Sequence, residues 1–131
     1  MIALDTNVLV RFLVVDDKAQ STKAARLVDR AAAANEILFV SDVVICDTVR
    51  VLISAYQVPR AEVANLLGQL FKAAHLAFRD VDGLERARQA FVRGRGDFAD
   101  YLIREQGRAA GCERVATFDR ALLKEDGFFS P

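Results

Sequence analysis

The sequence has one histidine, two cysteines, two prolines and seven glycines among 131 residues, and its charges cancel. A lone His75 cannot furnish a serine–histidine–aspartate set, and it opens a predicted strand, a structural place rather than a ligand's. Cys46 and Cys112 make no disulfide framework and fit no zinc spacing, so both read as buried thiols of a cytoplasmic protein. No apolar run approaches the ~18 residues of a membrane helix, so no membrane contact is expected. Met1-Ile2-Ala3-Leu4-Asp5 has no basic leader and carries an early acid, which does not suit a secretory signal. Zero net charge excludes nucleic-acid binding by bulk attraction; any contact with RNA or DNA must be local. Few prolines and glycines imply short loops, and without linker or repeat a single domain over residues 1–131 is expected.

What is present is apolar and helical, with 53% hydrophobic residues. Twelve of the 18 acids are aspartates, although glutamate forms helices better; aspartate favours caps, turns and metal sites. Arginine supplies 14 of the 18 basic residues, which suits bidentate phosphate contact or simply records base composition. Ile2-Ala3-Leu4 reads as a buried strand running into Asp5-Thr6-Asn7 as a helix cap. A second helix is expected from near Asp17 to Ala34, a third over Val43–Tyr56 and a fourth after Pro59. Ile37–Val40 and His75–Phe78 read as strands, Asp80–Val92 and Asp97–Ala110 as helices, the latter stopped by Gly111. Val115–Thr117 is a further strand, a short helix starts at Asp119, and Phe128-Phe129 forms a short edge strand. Strands alternating with such helices predict an α/β fold, a parallel sheet covered on both faces.

In a parallel sheet, sites gather at the carboxyl ends of strands. Asp5 ends the first strand and Asp119 follows the fourth. Asp97 is placed to cap the sixth helix, whereas Asp100, three residues on, is assigned to the site. Asp47 falls among Val43, Val44 and Val51, where a carboxylate should be costly unless it binds a cation or pairs with Arg50 or Arg11. Converging carboxylates without histidine or cysteine ligands suit a hard divalent cation, whose usual work is phosphodiester cleavage.

Ile2-Ala3-Leu4-Asp5-Thr6-Asn7-Val8-Leu9, Val43 to Leu52, Asp97-Phe98-Ala99-Asp100-Tyr101-Leu102-Ile103 and Ala116-Thr117-Phe118-Asp119 together resemble the PIN-domain family, and within it the VapC-type toxins of toxin–antitoxin pairs. The resemblance implies a three-layer fold with four or five parallel strands in the order 3-2-1-4-5, flanked by helices. It implies a Mg2+- or Mn2+-dependent endoribonuclease, an RNA substrate, a homodimer and a cognate antitoxin. Asp5, Asp100 and Asp119 match the family's acids, with Asp5 and Asp100 as metal ligands, and Asp47 stands where the family typically has Glu. Thr6, Asn7, Asp97 and Thr117 are supporting residues, and Arg93, Arg95 and Arg104 are candidate RNA phosphate contacts. The helices Val43–Tyr56 and Pro59–Ala73 carry more apolar residues than one stripe needs, including Leu66, Leu67, Leu70 and Phe71, and are expected to form the dimer contact. An inert binding module for antitoxin or RNA, and a phosphatase or DNase using the same acids, are the other readings.

Overall fold

The computed structural model describes residues 1–131. The chain divides into two compact units, Met1–Arg79 and Asp80–Pro131. The first runs β1 (Ile2–Ala3), α1 (Thr6–Leu13), α2 (Lys18–Ala33), β2 (Leu38–Phe39), α3 (Asp42–Ser54), α4 (Arg60–Phe71) and β3 (Leu76–Ala77). Its strands form a parallel sheet in which β2 lies between β1 and β3, with Ile2 opposite Leu38 and Leu38 opposite Leu76. The second contains α5 (Val81–Arg93), α6 (Phe98–Ala109), β4 (Val115–Ala116), a single 3-10 turn at Leu122–Lys124 and β5 (Phe128–Phe129). β4 and β5 are parallel, Val115 opposite Phe128. The runs 3-2-1 and 4-5 of the expected order are thus both present, each as its own hydrogen-bonded sheet.

Short carboxylates and hydroxyls start the helices. Asp17 accepts a bond from the Gln20 N–H, Ser41 from Val44 and Asp80 from Gly83, which satisfies donors that a first helical turn leaves open. Gly111, with φ +95°, ends the turn after α6, as the sequence predicts. Gly127, at φ +90°, is closed to side chains twice over: a Cβ there would lie 2.7 Å from Cδ of Arg104.

Leu9, Leu38, Val40, Ile45, Leu52, Val63 and Leu67 are buried in the first unit, and Phe71 meets Phe78 edge to face at 5.3 Å. Leu84, Ala87, Phe91, Phe98, Tyr101 and Leu122 are buried in the second, where Phe91 and Phe98 pack at 6.1 Å. Three expectations need correction. The first strand is not buried: β1 is an edge strand, and Ile2 and Ala3 are exposed while only Leu4 turns inward. Most of the apolar surface expected on α4 is used internally, because Leu67 and Leu70 are core and Phe71 has Phe78 for a partner, which leaves Leu66 half-exposed. Cys112 is exposed, since it follows the turn at Gly111; only Cys46, on α3, is sheltered.

The two thiols should therefore react differently. Burial, followed by the negative charges of Asp42 and Asp47, pushes the Cys46 thiol up to about 11, so it stays protonated near neutrality. Titration with a disulfide reagent at pH 8 should show one fast and one slow thiol. Cys112→Ser should abolish the fast phase; if that phase survives, Cys46 is the reactive group.

Candidate active site

In the first unit the turn from β1 into α1 brings Asp5 to the helix N-cap, where its Oδ1 accepts the Thr6 N–H at 2.8 Å. The second oxygen of Asp5 has no protein partner, and the residue is exposed. Asp5, Thr6, Asn7 and Asp47 line one cleft of about 280 Å3, together with Val10, Arg11, Val51 and Tyr56. The Thr6 hydroxyl donates to Oδ2 of Asp47 at 3.4 Å, linking α1 to α3. Asp47 is not held in an apolar environment as the sequence suggests. Its side chain is 40% exposed and forms an ion pair with Arg50 one turn further along α3, while Val43 points to solvent at 73% exposure. The expected ion-pair partner is thus Arg50. Arg11 is engaged elsewhere, donating to Asp16 at 2.5 Å, to the Tyr56 hydroxyl at 2.7 Å and to Gln20 at 2.6 Å. Bonds from Tyr56 and then Arg11 hold the Asp16 carboxyl below its ordinary range.

In the second unit Asp97 is the N-cap of α6, as expected. Asp100 shares in the cap, which the sequence reading reserved for Asp97: its Oδ2 accepts the Asp97 N–H at 2.9 Å. Only one oxygen is used in this way, and Oδ1 has no protein partner. Burial first, then the charges of Asp97, Asp119 and Glu125, hold the Asp100 carboxyl above its ordinary range. Asp119 repeats the pattern of Asp5. Its Oδ1 accepts the N–H groups of Ala121 at 2.9 Å and Leu122 at 3.4 Å, while the Thr117 hydroxyl receives the Asp119 N–H at 3.0 Å.

Of the three candidate phosphate contacts, Arg93 and Arg95 are exposed. Arg104 is not available in that way: it is 9% exposed, donates to the Asp126 carbonyl at 2.9 Å and lies over the rings of Tyr101 and Phe128. Its position on the buried face of α6 explains the difference. Glu125 and Tyr101 were missed. The Tyr101 hydroxyl donates to the Glu125 carboxylate at 2.7 Å and accepts the Gly96 N–H at 2.9 Å, so it ties the loop before α6 to the chain's end. A tyrosine directly after Asp100 was the available signal; nothing in the sequence marks Glu125 as its partner.

In each unit the candidate donors are of the kind a hard divalent cation takes. Every candidate ligand atom is oxygen, and Asp5, Asp100 and Asp119 each keep one oxygen unclaimed after capping. The like charges around Asp100 are what a cation would relieve. Within neither unit do three acidic, histidine or cysteine side chains enclose an ion.

A family model described as PIN domain matches residues 2–126. The chain belongs to the PIN domain family. PIN domains are three-layer α/β folds and are generally nucleases, typically dependent on a divalent metal; the six helices and parallel strands agree with that fold. Comparison with individual curated proteins gives no match. No helix of this PIN domain is long and apolar enough to cross a membrane.

Two outcomes follow from the geometry around α6. Tyr101→Phe removes a buried hydroxyl bonded on both sides, and should lower stability by about 1–3 kcal/mol in urea denaturation. Asp100→Asn keeps an oxygen for the Asp97 N–H but removes a charge that its surroundings disfavour. A raised folded-state pKa means that the ionised carboxylate costs stability at neutral pH. In EDTA at pH 7 the variant should therefore melt above the parent, and the gain should vanish below about pH 3.9, where the acid is protonated in both states. A lower melting point at pH 7 would contradict this.

Proposed function

We propose that this PIN domain is a Mg2+- or Mn2+-dependent endoribonuclease, the toxin of a toxin–antitoxin pair. The observation that carries the reading is that Asp5 in the first unit, and Asp100 and Asp119 in the second, each spend one oxygen on a helix or turn start and keep the other. A bound divalent cation supplies Lewis-acid activation for hydrolysis of a phosphodiester. In this reading Asp5 of the first unit and Asp100 of the second are metal ligands, and Asp47 and Asp119 are the further catalytic acids. Thr6 positions Asp47 through its hydroxyl, Asn7 lines the same cleft, and Thr117 fixes the backbone of Asp119. Exposed Arg93 and Arg95 serve the RNA phosphates. A homodimer is supported by Val43 and Ile53, exposed apolar residues of α3, and the cognate antitoxin follows from the resemblance to VapC-type proteins.

The ion pair of Asp47 with Arg50 favours a second reading, an inert binding module, because it occupies the acid that stands in place of the family's Glu. Cleavage assays separate the two. The purified chain with a structured RNA should show cleavage stimulated by Mn2+ and stopped by EDTA. Asp5→Asn should reduce the rate about a hundredfold or more while the fold persists by circular dichroism. Asp47→Glu should raise Mn2+ affinity and cleavage, and Asp47→Asn should lower both. No cleavage by the parent, or full cleavage by Asp5→Asn, rejects the enzyme.

A further inference from the structure

Of the nine phenylalanines, Phe118 is 85% exposed, and the next, Phe12, only 38%. A lone exposed apolar residue on a surface is ordinary. Phe118 differs because its backbone is fixed on both sides. The Thr117 N–H donates to the Phe129 carbonyl at 2.9 Å, the Asp119 N–H to the Thr117 hydroxyl at 3.0 Å, and the Ala121 N–H to the Asp119 carboxylate at 2.9 Å. These bonds fix the backbone on either side of Phe118, and its ring stands in water next in sequence to a candidate site acid.

The surroundings favour one kind of occupant. Arg120 is exposed two residues on, and Ala121 of the same turn lines a cleft of about 300 Å3 with Arg93, Arg95, Lys124 and Glu125. A flat apolar ring next to exposed cations matches a nucleotide, which offers a base to stack and a phosphate to neutralise. We infer that Phe118 is a stacking platform for an unpaired base of the RNA strand, a binding residue next to the acid Asp119. The proposal rests on the endoribonuclease reading for its substrate. It goes beyond that reading in requiring single-stranded RNA at this turn.

The sequence contains no tryptophan, so Phe118→Trp introduces a unique fluorophore that preserves stacking. In EDTA, which keeps the RNA whole, a single-stranded RNA decamer should quench this tryptophan. Inorganic tripolyphosphate and an abasic oligomer of equal charge should not. With metal present, Phe118→Ala should lower kcat/KM about tenfold, the loss carried by KM, and Phe118→Trp should restore it. Quenching by the decamer in a protein that cleaves no RNA would uphold the platform while rejecting the nuclease. Cleavage by Phe118→Ala at the parental KM, with no quenching of the tryptophan, overturns the proposal and returns the ring to a protein contact.

Discussion

A carboxylate has two oxygens, and in this protein the acids that begin helices and turns give only one of them to the backbone. Asp5 serves α1, Asp100 reciprocates at the start of α6, and Asp119 serves the 3-10 turn. Capping fixes the carboxyl group at the end of its element, where the N-terminal dipole favours negative charge. It leaves the remaining oxygen free of backbone bonds. The same bonds that build the local fold therefore prepare hard oxygen donors, and they do so separately within each unit.

The second unit adds an internal scaffold to this. Buried polar groups must be bonded, and Tyr101 meets that demand with a carboxylate on one side and an amide on the other. Arg104, nine-tenths buried, spans the rings of Tyr101 and Phe128 and reaches the carbonyl of Asp126. Gly127 lets the backbone pass beside that guanidinium stem. The chain's last strand is thus tied into the packing of α6, and Glu125 is brought to act on Asp100.

Periodicity and caps made most of the elements legible: the extents of α2, α5 and α6 and the position of β5 agree with the sequence to within about a residue. Helix starts carry their own side-chain signal, which is why Asp97 could be placed before the structure was known. Burial was harder to read. Asp47 lies among valines in sequence, yet a helix turns each side chain by about 100°, and Val43 and Asp47 share a solvent-facing side. Cys112 and Arg104 were misjudged for the same reason, since exposure is set by packing partners that no local pattern names. The link between Tyr101 and Glu125 spans 24 positions and had no local trace at all. Motif resemblance, by contrast, identified the family because its signal is spread over four separate segments.

The pairing of Asp47 with Arg50 has a consequence for any cation entering the first unit's cleft. Arg50 is a monovalent cation on a tether one helical turn long, so its effective concentration at Asp47 is set by geometry and not by the solution. Any ion reaching that carboxylate would have to displace it. Both side chains are substantially exposed, at 73% and 40%, so salt screens the tethered competitor as well as the incoming ion. Mn2+ affinity of this cleft should accordingly respond to ionic strength less steeply in the parent than in Arg50→Ala.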